Sequence, residues 1–217
     1  MKTLLGKGEA SGFTLVELLV VAVILFALAA FLLPANRPGG SAPGIQCISN
    51  LRQVDMAFIM YADDNHGKYP MVYAATNGGT MEAVSEGQVS PHLQKIASYI
   101  PKQLRLLVCP VDPGKTVATN FETLTGRNIS YFLNADVTTN RAAASVLAGD
   151  RNLEYDRQPV RPGLFLLTTN AYLQWGRDIH KRRGNLAFAD GHVQWTEANL
   201  NSVLRDQPLA TNRLCVP

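Results

Sequence analysis

The chain has 217 residues, of which 17% are charged, and a formal net charge of +3. That charged fraction is below the usual quarter, and so small a net charge gives no argument for nucleic acid or another polyanionic partner. The length leaves room for one soluble domain of ordinary size beyond an N-terminal segment.

Residues 1–12 carry Lys2 and Lys7 and read as a leader held in the cytoplasm by the positive-inside tendency. An apolar run with one carboxylate, Glu17, follows from Phe13 to Leu33. At about 1.5 Å rise per residue the run covers roughly 30 Å, the thickness of a bilayer core. It predicts a transmembrane helix over 13–33, and a single-pass inner-membrane protein with an extracytoplasmic C-terminal domain. A charge inside such a span costs about 2.5–3.5 kcal/mol and calls for a partner. An amino terminus made by cutting after Gly12 is a cation that reaches Glu17 in every copy, since Phe13 and Glu17 lie four apart on one helix face. A secretory signal peptide has a shorter apolar region and a small-residue cut site after it. Neither that nor a plain anchor accounts for Glu17.

The segment GFTLVE, with its short basic leader and apolar helix, resembles the processing site of type IV prepilins and pseudopilins. The resemblance implies cleavage between Gly12 and Phe13 and N-methylation of Phe13, both by a prepilin peptidase. It also implies that Glu17 pairs with the amino terminus of a neighbouring subunit during assembly. The implied partners are that peptidase, other pilin or pseudopilin subunits, and inner-membrane lipid.

Residues 34–44, PANRPGGSAPG, contain three Pro and three Gly and read as a flexible or extended linker. A globular domain is expected over 45–207. In it Ile48, Leu51, Val54, Phe58 and Tyr61 recur at helical spacing and form one apolar stripe, with Arg52, Gln53 and Asp55 off it. The helix ends at ADDNHGKYP, where Asp63 and Asp64 read as a solvated turn because their spacing does not fit an EF-hand loop. Residues 73–90 read as loop, and Leu93, Ile96, Ala97 and Ile100 as a short helix after Pro91. Four short runs then read as strands: LRLLVCP, NISYFLN, SVLAGD and LFLLTTN. The predicted architecture is α+β, with the helix from residue 45 packed on an antiparallel sheet.

The segment NLAFADGHVQW predicts a hairpin with Asp190-Gly191 as a two-residue type I′ turn. That turn sets Phe188 opposite Val193, Leu186 opposite Trp195, Ala187 opposite Gln194 and Ala189 opposite His192. Thr196 is placed to cap a terminal helix carrying Leu200, Val203 and Leu204. Residues 208–217 read as a tail.

His180, nine further residues and Asp190-Gly191 resemble the H-X9-DG element of bacterial prepilin-like proteins of the planctomycete type. The segment from Cys47 to Pro70, LLVCPVDP and SYFLN resemble other motifs of that family. The likeness covers nearly the whole chain and departs from the family at the Pro/Gly linker. It implies pilin-like architecture and no known activity. Cys47, Cys109 and Cys215 allow three single pairings. Cys47 with Cys109 is preferred because both sit inside these motifs, and three reduced thiols are the alternative.

His180, Asp190 and His192 invite a metal reading, since a catalytic zinc takes three protein ligands around an open position. The plainer reading makes Asp190 a turn residue, His192 a strand residue and His180 a hydrogen-bonding partner of the hairpin. No metal, cofactor or small-molecule substrate is expected. Arg177, Lys181, Arg182 and Arg183 form a basic patch, read as a solvated loop. No nucleophile elbow, phosphate-cradling loop or paired carboxylates argue for an enzyme. The expected role is a subunit of a type IV pilus-like or type II secretion pseudopilus filament, at the cell surface or in the periplasm. The alternative is a membrane-tethered extracytoplasmic binding module that does not polymerise.

Overall fold

Helix α1 (Leu15–Leu32) opens with a reciprocal cap. The backbone N–H and the hydroxyl of Thr14 both donate to Oε2 of Glu17 at 2.9 Å, and the Glu17 N–H donates back to the Thr14 hydroxyl at 3.3 Å. TLVE is thus a capping box, which supplies orphan donors at a helix start with acceptors. The computed structural model describes residues 12–32, 42–139, 144–167, 172–197, 199–205 and 211–217. The chain divides into two compact units, Met1–Gly39 and Gly40–Pro217. The leader residues 1–11, Leu33 and residues 34–41 of the expected linker lie outside the described residues.

The transmembrane reading of residues 13–33 is corrected here. Among the described residues no helix is long and apolar enough to cross a membrane. Glu17 occupies the first turn of α1, so the uncharged stretch Leu18–Leu32 covers only roughly 22 Å at about 1.5 Å per residue, against roughly 30 Å of bilayer core. The single-pass inner-membrane placement that rested on that span falls with it.

In the second unit α2 (Ala42–Asp64) starts inside the segment read as linker. Its stripe of Leu51, Val54, Phe58 and Tyr61 is buried, together with Cys47, Ala57 and Ala62. Asp55, expected off the stripe, is buried as well. Two short helices follow, α3 (Met81–Ser85) and α4 (Ser90–Lys95), the latter with Pro91 in its first turn. The run LRLLVCP is not a strand: Leu104–Leu107 makes a single 3-10 turn, and Leu106 and Leu107 go into the core against α2. Periodicity cannot distinguish a strand from a helical turn in so short an apolar run.

The main sheet has six antiparallel strands in the order β5-β9-β1-β2-β7-β8. They are β1 (Tyr131–Asn134), β2 (Val146–Asp150), β5 (Gly163–Leu167), β7 (Arg183–Phe188), β8 (Val193–Glu197) and β9 (Asn212–Val216). A small antiparallel sheet, β4-β3-β6, is made by β3 (Leu153–Tyr155), β4 (Gln158–Pro159) and β6 (Leu173–Trp175). Alternation along the strands sorts residues to two faces. Tyr131, Leu133 and Ala187 join the cluster under α2, whereas Phe132, Leu186 and Phe188 join Trp175, Leu200 and Leu204 on the other side. The described fold is α+β with an antiparallel sheet.

Two sequence expectations about the C-terminal third change. Of the segment 208–217 read as a tail, Asn212–Val216 is strand β9, which lies between β5 and β1 with Leu214 and Cys215 fully buried, and residues 208–210 lie outside the described residues. The hairpin register also differs: Ala187 faces Val193, Leu186 faces Gln194 and Asn185 faces Trp195. Of the two turn residues only Gly191 has positive φ, at 91°. The Gly191 N–H donates to Phe188 O and the Phe188 N–H to His192 O, which closes a three-residue loop. One extra loop residue moves every partner by one and exchanges the faces. Thr196, expected to cap a helix, lies in β8 and accepts from Trp175 Nε1 at 2.9 Å. The short helix α5 (Asn201–Arg205) is capped instead by Asn199, whose Oδ1 accepts from the Asn201 N–H.

A chain ending at Gln207 therefore loses an interior strand, and we expect no cooperative thermal transition by near-UV circular dichroism. An unchanged melting temperature would contradict the placement of β9. A Cβ at Gly184 would stand 2.7 Å from the Trp175 ring. Gly184→Ala should cost about 1–3 kcal/mol through overpacking, seen as a lower urea midpoint at unchanged slope.

Candidate functional site

The loop between β6 and β7 is clamped by one side chain. Asn152 Nδ2 donates to the carbonyls of Ile179 at 2.8 Å, Gly176 at 3.1 Å and Arg183 at 3.3 Å. Within this loop His180, Lys181 and Arg182 have φ of 55°, 53° and 68°. A left-handed non-glycine residue costs roughly 1–2 kcal/mol, and three in succession persist only where the surroundings over-determine them. The conformation turns His180 inward, its side chain 4% exposed, while Lys181 and Arg182 stay at the surface.

Inside, Nε2 of His180 lies 3.3 Å from Sγ of Cys109 and 3.6 Å from Oδ2 of Asp150. Cys109 is joined by a disulfide to Cys47 of α2, with a Cα–Cα distance of 5.2 Å. The Trp195 ring meets the imidazole edge to face at 5.4 Å, a contact created by the hairpin register. Asp150, at the end of β2, has no exposed surface. Its Oδ2 accepts the backbone and side-chain N–H groups of Asn185, both at 2.8 Å, and its Oδ1 has no hydrogen-bond partner. Burial pushes its carboxyl pKa up to about 7 against the pull of the Asn185 hydrogen bonds. Burial also pulls the His180 pKa down.

Beside it Asp112 takes a two-pronged contact from Arg151, at 2.7 and 2.6 Å, and a hydrogen bond from the Ser130 hydroxyl at 2.8 Å. Burial alone would raise the Asp112 pKa. Arg151 and Ser130 outweigh it and hold the carboxyl below its ordinary value. This aspartate closes the CPVD segment and fixes Arg151, the neighbour of Asp150.

The other half of the His180–Gly191 element sits elsewhere. At the hairpin tip Asp190 Oδ1 accepts the His192 N–H at 3.1 Å and contacts Nδ1 of its ring at 2.5 Å, while that ring stacks on Phe188. Gly191 lies against α2, where a Cβ would come 3.2 Å from Met56 and 3.3 Å from Ile59. Asp55 of α2 is near this tip, and neither of its oxygens has a hydrogen-bond partner. Burial, then the Asp190 charge, lifts its pKa to about 8 against the opposing charge of Arg52.

The grouping of His180 with Asp190 and His192, considered as a metal centre, is not the one that forms. Among the described residues the cluster with ligand atoms in mutual reach is Cys47, Cys109 and His180. Arg183 of the basic patch pairs with Glu197 at 3.4 Å, while Arg177, Lys181 and Arg182 are exposed. In the N-terminal unit Gly12 has open space around it, Phe13 is 72% exposed, and Glu17 is occupied by Thr14. Sequence reasoning passed over Asp150, Asp112, Asn185 and Asp55. Polar residues at the ends of apolar runs, as in VLAGD and LLVCPVD, were the available signal.

No family model, curated protein or solved structure matches this chain.

An unpaired buried carboxylate costs about 1–3 kcal/mol or more. The Asp55 pKa in the folded chain, about 8, lies above its ordinary 3.8, so the folded state holds the proton more tightly. Asp55 then subtracts stability progressively as pH rises from about 4 to about 8. Asp55→Asn should raise the urea midpoint, by an amount that grows over that range and levels off above it. A gain independent of pH would show that Asp55 does not carry the cost.

Proposed function

We propose that this chain is a prepilin-like subunit. It is cut after Gly12 by a prepilin peptidase, N-methylated at Phe13, and assembled with other pilin or pseudopilin subunits into a type IV pilus-like or type II secretion pseudopilus filament. The observation that carries this reading is an uncovered apolar helix directly behind GFTLVE. Leu15, Val16, Leu18, Leu19 and Phe26 are all more than half exposed. Apolar surface on that scale marks a site of association. Helix α1 taken by itself is apolar nearly all round, as a helix is when neighbours enclose it. In the filament those neighbours are the α1 helices of other subunits.

Glu17 has two roles in this reading. Before assembly it is the second partner of the Thr14 capping box. In the filament its charge pairs with the amino group of Phe13 on a neighbour, and a charged pair taken out of water selects one docked register.

The two roles are separable. The intact mass of the native protein should correspond to a chain beginning at N-methylated Phe13; a start at Met1, or inside the alanine-rich end of α1, would overturn processing at this site. Glutamine also serves in a capping box, so Glu17→Gln keeps the helix start and removes the charge. With normal leader cleavage, Glu17→Gln and Glu17→Ala should both reduce filament incorporation about tenfold or more, the equivalent of about 1.4 kcal/mol. Normal incorporation of Glu17→Gln would reduce Glu17 to a cap. A native protein found only as single subunits would favour a binding module that does not polymerise.

A further inference from the structure

The Cys47–Cys109 disulfide is accompanied by groups that a disulfide does not need. The two sulfurs and a ring nitrogen of His180 lie within 4.8 Å of one another. They come from separate parts of the fold: α2, the segment before β1, and the β6–β7 loop. Three successive left-handed residues hold the imidazole there. Next to it Asp150 is fully buried, and one of its oxygens lacks any hydrogen-bond partner. Strain and an unsatisfied buried acceptor are both costs, and together they point to a ligand state.

We propose that, once the disulfide is reduced, Cys47, Cys109 and His180 hold one thiophilic divalent metal ion of the zinc type, with Asp150 beside its fourth position. Two thiolates and an imidazole are a donor set suited to zinc. With metal–sulfur bonds of about 2.3 Å and metal–nitrogen bonds of about 2.0 Å, tetrahedral neighbours stand about 3.5–3.8 Å apart. The Cys109–His180 separation of 3.3 Å is already near that edge. Breaking the S–S bond lets the two sulfurs part to the same spacing. The dication neutralises both thiolates, and Asp150 beside it offers a carboxylate oxygen that has no hydrogen-bond partner.

The chemistry balances with a dithiol as reductant. Its two sulfurs form their own disulfide, and the electron pair and two protons pass to Cys47 and Cys109. Metal binding then releases the thiol protons. The cluster is therefore a switch between a covalent cross-link and a metal cross-link at one place.

The test uses the full chain, reduced with a phosphine under an oxygen-free atmosphere and titrated with cobalt(II). We expect one cobalt per chain, with thiolate-to-cobalt charge-transfer bands and the intense ligand-field bands of tetrahedral cobalt, both lost on adding an equivalent of zinc. The oxidised protein should show neither. His180→Ala, checked for folding in its oxidised form by near-UV circular dichroism, should bind cobalt at least tenfold more weakly, and Cys215→Ser should bind it unchanged. If the reduced chain loses its near-UV signal, recovery on adding cobalt supports the site, and no recovery overturns it. Octahedral cobalt bands, or equal affinity in His180→Ala, would also overturn it. Should His180→Ala not fold, X-ray absorption of the zinc-loaded wild-type chain decides. Two sulfurs and an imidazole support the assignment, and three sulfurs or an oxygen shell refute it.

Discussion

The globular unit depends on one cross-link, the bond between Cys47 and Cys109. It ties the early turns of α2 to the segment before β1 across a separation of 62 residues. In the chain-entropy view, closing a loop of that length removes about 4 kcal/mol of freedom from the unfolded chain. Neighbouring contacts follow from the same junction. Leu107 is buried beside it, Asn50 Nδ2 reaches Val108 O at 3.4 Å, and the Ser130 N–H donates to Leu107 O as the chain enters β1. The 3-10 turn at Leu104–Leu107 is thus fixed at its C-terminal end, to α2 through Cys109 and Val108 and to the start of β1 through Ser130.

Around that junction lies a set of polar groups in an interior that would be cheaper to fill with carbon. Asp112 is fully answered by Arg151, Ser130 and Gly114. Asp150 is half answered and Asp55 not at all. A half-satisfied buried network costs more than an apolar one, and two of the unanswered carboxylates, Asp150 and Asp55, lie where the His180–Gly191 element touches the core. Stability and local chemistry are set against each other there, and acidification relieves both carboxylates.

The N-terminal unit follows a different logic. Its helix is satisfied at its first turn and uncovered from Leu15 to Ala29. The carboxylate that looks anomalous in an apolar run is the ordinary partner of Thr14 once the helix start is recognised. That local role removes the need to explain Glu17 by pairing alone, and the exposed apolar surface of the helix is the feature on which the proposed assembly rests.

By itself the sequence determined what depends on near neighbours. The apolar stripe from Ile48 to Tyr61, the turn after Asp64, the position of the hairpin and several short strands are written in spacing and turn residues, because helix and strand periods are local. Cys47 and Cys109 stood out as a preferred pair, and His180 stood apart from them in another motif. Tertiary structure decided what depends on distant partners. LRLLVCP and residues 212–216 are similar apolar stretches. One became a turn and the other an interior strand, because β9 found unpaired edges on β1 and β5 and Leu104–Leu107 did not. The hairpin register turned on the φ of a single residue, Asp190, which placed Trp195 rather than Gln194 beside His180. The split of His180 from Asp190, and its union with two cysteines and Asp150, follows from sheet order and from a strained loop, neither of which leaves a periodic trace in the chain.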